Sequence, residues 1–354
     1  MNALFKWHGK WHLMNQEAAP AGGTGWSHLI SADLVRWRRL PTVLGPTGWD
    51  GSLSIVNGVP TILFDCQSAG GCHDLSSTPA AGAFDRPVIG VARPANSSDE
   101  LLVDWKRDAA NPIAVAGTMK PYAGPSNLWQ TASGTWRMVM ITGGATGLYE
   151  SSDPTLHAWR LLNASFYRRR GGGGGLFHRL PPAAATSTAP QPYTHFLQTD
   201  APGKNDGTNW FILGHYQDDR TDLQPLSPSA VPLDVSTHLV YSTIGLDGFT
   251  SPSGVPSRMP SLTQSLMPSR VLHIGWVLGG AVNTLSSVRA VKYDQAQALL
   301  TALPAEEYTE LRGRVLGAWR DMGLDLSCTS RPLRHLAAGY PYASAVPLCL
   351  YFCV

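Results

Sequence analysis

Residues 28–40 read HLISADLVRWRRL, and residues 147–162 read GLYESSDPTLHAWRLL. Both segments run from an apolar stretch through Ser and Asp to a Trp that opens a second apolar stretch. The matched positions are Ser31, Asp33 and Trp37 in the first segment, and Ser152, Asp153 and Trp159 in the second. Ser and Asp side chains stabilise tight turns by bonding to nearby backbone groups. Each segment is therefore predicted to be a β-hairpin whose Trp caps the returning strand.

A second element, a turn followed by an aromatic or apolar strand, recurs along the chain. It occurs as GKWHLMNQ (9–16), GVPTILFDC (58–66), GTWRMVMI (134–141), TNWFILGHY (208–216) and SRVLHIGWV (269–277). Five such signals, spread over about 270 residues, are typical of one four-stranded blade each. The sequence therefore predicts an all-β fold, a five-bladed β-propeller whose first blade is incomplete.

The bulk composition excludes several classes of function. The chain has 354 residues, 43% apolar content, 15% charged residues and a net charge of +2. This balance gives no reason to expect a nucleic-acid partner or a basic helix at a membrane surface. No apolar run of about 20 residues predicts a membrane span, and the first residues do not resemble a signal peptide. Twelve Trp residues suit packing between blades, although indoles also form the floors of sugar-binding pockets.

The five cysteines do not form a metal-binding pattern, and no cofactor motif is present. Cys66 and Cys72 are six residues apart, so they form either a small disulfide loop or two buried thiols. The strand-like pattern of the sequence ends at about residue 285. Residues 1–285 are predicted to form the propeller, 286–316 a linker that leaves it, and 317–354 a truncated or aberrant tail.

Six segments, in this order, resemble the N-terminal domain of glycoside hydrolase family 32, the β-fructofuranosidases. They are GKWHLMNQ (9–16), TGWSHLISADLVRWRRLP (24–41), WDGSLSIVNGVPTILF (49–64), LYESSDPTLHAW (148–159), VLHIGWV (271–277) and LSSVRAVKYDQAQALLTALPAEEYTELR (285–312). The resemblance covers nearly the whole chain to about residue 316. It implies a five-bladed propeller and activity on sucrose or fructans. The tail stands where the family has a β-sandwich.

The family resemblance also implies a retaining mechanism, in which an Asp nucleophile and a Glu general acid lie about 5–5.5 Å apart. A third Asp, in an Arg-Asp-Pro motif, holds sugar hydroxyls. None of the three carboxylates stands at its expected place. The nucleophile position falls before Asn2, the Arg-Asp-Pro position reads Ala123-Gly124-Pro125, and the general-acid position falls near 173–175. Either the chain lacks its natural N-terminus, or this branch has lost or relocated its carboxylates, with Asp50 and Glu150 as the relocated candidates.

The resemblance places six residues at a substrate-binding site: Asn2, Gln16, Trp26, Trp49, Asp50 and Asn127. Four of them also have an ordinary structural interpretation: a strand-end polar group for Gln16, blade packing for the two Trp residues, and a turn cap for Asp50. The catalytic residues are unknown from sequence, with Asp50 as a weak candidate. The expected activity is hydrolysis of β-fructofuranosides, and the alternative is a non-catalytic carbohydrate-binding propeller. A propeller serving as a protein-interaction platform is a third class, which the Trp positions disfavour.

The expected partner is a small fructosyl-containing sugar, with no nucleic acid, no membrane, no metal and no cofactor, and the oligomeric state stays open. A secreted or vacuolar location is expected only if the natural protein has a longer N-terminus.

Overall fold

The computed structural model describes residues 2–18, 24–45, 48–66, 72, 88–116, 122–142, 145–167, 177–179, 194–199, 209–228, 230–234, 239–247, 270–277, 284–294 and 299–311. Nearly all regular structure in these residues is β-strand, so the all-β prediction is confirmed. A 3-10 helix at Glu306–Leu311 follows the last strand. The predicted tail, 317–354, lies outside the described residues, and so do residues 173–175.

The strands, numbered in chain order, are β1 (Ala3–Trp7), β2 (Lys10–Ala18), β3 (Thr24–Ser31), β4 (Arg38–Leu44), β5 (Gly48–Val56), β6 (Val59–Cys66), β7 (Val88–Pro94), β8 (Trp105–Arg107), β9 (Ala114–Ala116), β10 (Tyr122–Ala123), β11 (Trp129–Gln130), β12 (Trp136–Thr142), β13 (Ala145–Ser151), β14 (Ala158–Tyr167), β15 (Phe177–Arg179), β16 (Thr194–Thr199), β17 (Asn209–His215), β18 (Gln224–Pro225), β19 (Val231–Asp234), β20 (Leu239–Asp247), β21 (Arg270–Val277), β22 (Thr284–Leu285), β23 (Arg289–Asp294) and β24 (Leu299–Pro304).

The described strands form four hydrogen-bonded sheets rather than the five predicted. Sheet I has nine strands, in the order β24-β23-β21-β20-β1-β2-β3-β4 with β22 beside β21. Sheet II is β5-β6-β7-β8, sheet III is β10-β12-β13-β14-β9 with β11 beside β12, and sheet IV is β15-β16-β17-β18 with β19 beside β17. The count differs because β1 pairs in parallel with β20, at Leu4↔Gly245 and Phe5↔Leu246. This pairing joins two four-stranded arms into one sheet.

Four apolar clusters connect the sheets in a closed circuit. Sheet I packs on sheet II through Phe5, Met14, Ile62 and Phe64. Sheet II packs on sheet III through Leu63, Val91, Met138 and Tyr149. Sheet III packs on sheet IV through Val139, Phe166 and Ile212, and sheet IV returns to sheet I through Phe211, Leu213 and Val271. Neighbouring residues on one strand, such as Leu63 and Phe64, therefore enter different clusters, because successive side chains point to opposite faces. This double burial explains the unbroken apolar runs in the sequence.

The first Ser–Asp hairpin forms as predicted between β3 and β4. The Asp33 carboxylate accepts backbone N–H bonds from Val35 at 2.9 Å and Arg36 at 2.7 Å. Leu34 has a positive φ of 61°, and its carbonyl accepts the indole N–H of Trp37 at 3.0 Å. The Trp thus closes the turn that the Asp side chain opens.

The same turn occurs twice more, with one correction to the sequence alignment. In the second hairpin the Ser that bonds to the Asp153 N–H, at 3.1 Å, is Ser151 and not Ser152. The third copy was not predicted: the Leu102 carbonyl, at a φ of 48°, accepts the Trp105 indole N–H at 2.7 Å. A Leu followed three residues later by Trp is the signal in the sequence that could have found it.

A disulfide joins Cys66, the last residue of β6, to Cys72, with a Cα–Cα distance of 5.3 Å. Of the two alternatives left open by the sequence, the structure therefore has the bonded one. The Asn111 side chain secures this end of sheet II, because its Nδ2 donates to the Cys72 carbonyl at 3.2 Å and its Oδ1 accepts the Val91 N–H at 2.8 Å. Both sulfur-bearing residues are buried.

Candidate functional site

A β-bulge at the start of β5 presents the two most informative predicted residues. The pairing of β5 with β6 runs Gly48↔Cys66 and then Gly51↔Phe64, so Trp49 and Asp50 together lie opposite the single residue Asp65. Such a bulge bends its strand and redirects a side chain. A Cβ on Gly51 would stand 2.2 Å from the Leu63 carbonyl oxygen, so this close approach requires glycine.

Two predicted site residues hold the bulge by its backbone. The Trp49 carbonyl oxygen accepts the indole N–H of Trp26 at 2.6 Å and the side-chain amide of Asn2 at 3.1 Å. Trp26 exposes 0% of its surface and Asn2 only 3%. Both side chains therefore lie behind Trp49, and their polar groups are engaged with the protein itself.

Asp50 is the accessible carboxylate of this cluster. Its side chain is exposed to solvent, and the Gln16 side chain on β2 lies near it. Even so, burial raises the pKa of the Asp50 carboxyl above its ordinary value, and the neighbouring Gln16 amide opposes this only in part. Because solvent reaches this carboxyl while protein atoms surround it, we infer that it lies in a shallow depression. Trp49 and Gln16, each half-buried, belong to the same depression.

Asp65, which sequence reasoning missed, lies across the bulge from Asp50. It is 2% exposed, and its two carboxyl oxygens share the backbone N–H of Gly124 at 3.1 and 3.0 Å. Burial raises the pKa of the Asp65 carboxyl well above its ordinary range, the charge of Asp50 raises it further, and the Gly124 N–H acts in the opposite direction. The signal in the sequence was a lone Asp at the end of the apolar run VPTILFDC.

Asn127, the sixth predicted residue, lies beside β5 and not at the bulge. The backbone N–H of its neighbour Leu128 donates to Ser54 Oγ at 2.7 Å, which fixes this segment of sheet III against sheet II. The buried atoms Asn127 Oδ1 and Ser52 Oγ have no hydrogen-bond partner among the described residues. Buried polar atoms of this kind usually bond to water or to a ligand.

The structure does not support Glu150 as a relocated acid. Its carboxylate is 13% exposed and is held by Arg137, at 3.0 Å, and by Arg160, at 2.6 Å. The two guanidinium partners occupy the oxygen lone pairs of this carboxylate. The Glu150 side chain is therefore part of an ion-pair network between β12, β13 and β14 of sheet III.

Within the described ranges, no group of three or more His, Cys, Asp and Glu side chains is arranged to hold a metal ion. Likewise, no helix in that part of the chain is long and apolar enough to span a membrane.

Comparison with known proteins supports the family resemblance. Residues 1–234 match the family model described as the glycosyl hydrolases family 32 N-terminal domain. An acid β-fructofuranosidase of Vicia faba is 31% identical over 137 residues, which are 38% of this chain and 20% of that protein. A sucrose:sucrose 1-fructosyltransferase of Festuca arundinacea is 29% identical over 142 residues, again 38% of this chain and 20% of the relative. The chain thus spans about a fifth of the length of these two relatives.

Solved structures confirm the propeller fold. Fructan 1-exohydrolase IIa of Cichorium intybus superposes with a TM-score of 0.68 at 21% identity, over 88% of this chain and 59% of that one. The same enzyme in complex with 1-kestose gives a TM-score of 0.66 with the same identity and coverage. A Bombyx mori β-fructofuranosidase in complex with sucrose gives 0.60 at 16% identity, over 88% of this chain and 64% of the other.

Proposed function

Because this chain belongs to glycosyl hydrolase family 32, we propose that it recognises the fructosyl unit of β-fructofuranosides such as sucrose or fructans. The depression formed by Trp49, Asp50 and Gln16 is the proposed site. The observation that carries the proposal is the accessible Asp50 carboxylate, presented by a bulge beside a half-buried indole. Similar proteins named for fructosyl transfer, and structures in complex with 1-kestose and sucrose, support this choice of ligand.

The chemistry of these side chains suits a sugar ring. A carboxylate and an amide accept and donate hydrogen bonds to neighbouring hydroxyls, and an indole stacks on the apolar face of the ring. Asn2 and Trp26 were predicted to contact the sugar. In this proposal they instead support the site, because both donate to the Trp49 carbonyl oxygen and fix its position.

Two outcomes are open for the reaction, hydrolysis or binding alone. Retaining hydrolysis needs two carboxyls across one glycosidic bond, about 5–5.5 Å apart. Of the two carboxylates that the structure describes at this cluster, Asp50 reaches solvent and Asp65 does not. We therefore propose that the chain binds a fructosyl sugar and hydrolyses it slowly or not at all. The binding-only function is favoured by the burial of Asp65.

The test compares the purified chain with its Asp50→Asn variant. Sucrose and inulin are the ligands, calorimetry measures binding, and released reducing sugar measures hydrolysis. We expect weak binding by the parent, with a dissociation constant of about 1 mM. The affinity of the Asp50→Asn variant should be roughly tenfold lower. Asp104→Asn is the control, because Asp104 is an exposed Asp on another loop. Robust turnover that Asp50→Asn abolishes would overturn the binding-only function and show a relocated catalytic carboxylate. Equal binding by both proteins would reject the site.

The finer architecture is also a proposal: sheet I consists of two blades, which would make five in all. In its support, each half of sheet I contains four successively paired strands, β1 to β4 in one half and β20, β21, β23 and β24 in the other, which is the number in one blade. The domain boundaries at 285 and 316 stay predictions. Strands β23 and β24, which follow residue 285, extend sheet I.

A further inference from the structure

Asp50 and Asp65 form a cross-strand carboxyl pair that no sequence motif predicts. The bulge sets Asp50 on β5 opposite Asp65 on β6. The two members differ in their surroundings, because Asp50 is exposed to solvent whereas Asp65 is 2% exposed.

The hydrogen bonding of Asp65 is too sparse for a buried anion. An ionised carboxylate can accept about four hydrogen bonds, and removing its charge from water costs several kcal/mol unless partners replace the water. The described donor to Asp65 is a single backbone N–H, that of Gly124, which its two oxygens share. The charged group that acts on it is Asp50, which carries the same sign.

Two carboxyls whose charges repel each other do not both ionise readily, and they titrate as a pair. The proton stays on the member for which ionisation costs more, which here is the buried one. The Gly124 N–H then bonds to one carboxyl oxygen of Asp65, and the O–H on the other oxygen needs an acceptor. Asp50, on the facing strand, is the carboxylate that the bulge sets opposite Asp65.

We propose that Asp65 is a positioning residue that retains a proton and donates it in a hydrogen bond to Asp50. The pair then has a net charge of −1, located on the carboxyl that solvent and ligand can reach. Asp65 also fixes the direction of Asp50, because the Gly124 N–H anchors Asp65 to sheet III while β6 holds it in sheet II. The role in sugar recognition rests on the proposed function, whereas the shared proton does not.

The protonation of Asp65 can be measured without a ligand. Carboxyl ¹³C NMR of the whole chain, labelled at aspartate, separates protonated from ionised side chains. At pH 7 we expect an aspartate signal at the protonated position that is absent in Asp65→Asn and persists in Asp50→Asn. A protonated signal that persists in Asp65→Asn would place the proton on another aspartate. Ionised positions for all aspartates would overturn the proposal altogether.

The positioning role is tested with two substitutions at Asp65, using sucrose as the probe. Asp65→Leu removes the donor to Asp50, so sucrose binding should weaken roughly tenfold. Asp65→Asn keeps a neutral donor and acceptor of the same shape, and should recover most of that loss. Circular dichroism verifies that both variants fold, and Asp104→Asn again serves as the control. If Asp65→Leu binds as the parent does, or if Asp65→Asn is as weak as Asp65→Leu, the positioning role is wrong. If the parent binds no sugar, the proposed function fails while the NMR result still decides the shared proton.

Discussion

His12 and His28 are buried side by side, with Nδ1 of His12 at 2.8 Å from Nε2 of His28. Both imidazoles are 0% exposed, and the ring of His12 stacks on Phe5. Burial, and then the charge of His28, lower the pKa of His12 to about 3. Burial lowers the pKa of His28 to about 4, against a smaller effect of Asp99 in the opposite direction. The folded protein therefore keeps this pair neutral under conditions in which the unfolded chain takes up protons.

This pair should make the protein acid-sensitive. An unfolded His has a pKa of about 6.5, so below that pH the unfolded state binds protons that the folded state refuses. Each His then lowers the free energy of unfolding by about 1.4 kcal/mol per pH unit until its folded pKa is reached. Between pH 7 and pH 5, the free energy of unfolding should fall by about 2 kcal/mol less in His28→Gln than in the parent. Urea unfolding at both pH values measures this difference.

The comparison between variants is needed because the Asp65 carboxyl has the opposite effect. Its raised pKa stabilises the folded state as the pH falls through that value. Subtracting the parent curve from the variant curve removes this shared contribution. His8→Asn is the control, since His8 is exposed and has a positive φ of 45° that Asn tolerates. Equal pH dependence in the parent and His28→Gln would contradict the buried pair.

A methyl group at Gly51 should disrupt the bulge. The new Cβ would stand 2.2 Å from the Leu63 carbonyl oxygen and 2.8 Å from the Phe64 Cα, and backbone atoms cannot easily give way. Gly51→Ala should therefore cost about 3 kcal/mol and reduce sugar binding, because Asp50 moves with the strand. Gly58→Ala is the matched control: it has open space and only the strain of a φ of +79°, about 1–2 kcal/mol. Denaturant unfolding measures the free energy of unfolding of both variants. If Gly51→Ala loses less stability than Gly58→Ala, the prediction is wrong.

Two arginines bind the same carboxylate, but they should differ in their contribution to stability. Arg137 is 8% exposed and also donates to the Tyr216 hydroxyl and, at 2.9 Å, to the Asp218 carbonyl. Its removal leaves Glu150 with the exposed Arg160 alone. It also deprives the Tyr216 hydroxyl and the Asp218 carbonyl of this donor, so Arg137→Ala should cost about 3 kcal/mol. The Arg160 side chain is 67% exposed, and Arg160→Ala should cost less than about 1 kcal/mol. Thermal and urea unfolding of the two variants decide whether the buried partner dominates.

The proximity of five residues assigned to the proposed site could be predicted from sequence order, because the motif segments carry them. Asn2, Gln16, Trp26, Trp49 and Asp50 do come together through the Trp49 carbonyl and the Asp50 carboxyl. Which of them face the solvent could not be predicted. Burial depends on how sheets I and II pack, and the sequence of a strand does not show whether its Trp faces the core or the solvent.

The features that the sequence did not predict depend on contacts between distant residues. Asp65 is bound by the backbone N–H of Gly124, which is 59 residues away. It lies opposite Asp50 because of a one-residue bulge, which no alternation of polar and apolar residues indicates. The count of sheets depends on the parallel pairing of Leu4 with Gly245, residues that are far apart in the sequence. Local periodicity identifies strands, but it does not report which strand lies beside which.

Trp49 and Trp26 should separate ligand binding from stability. Trp49 is half-buried at the depression, so Trp49→Ala removes a stacking surface and should weaken sucrose binding roughly tenfold, with a change in stability below about 1 kcal/mol. Trp26 is 0% exposed, and Trp26→Phe removes the indole N–H that bonds to the Trp49 carbonyl. That variant should lose about 2 kcal/mol of stability through the missing hydrogen bond and the smaller core side chain. Calorimetric titration with sucrose and urea unfolding, carried out on both variants, give the two readouts. If Trp49→Ala mainly destabilises the fold while binding is retained, Trp49 belongs to the packing between blades and the sugar site must lie elsewhere.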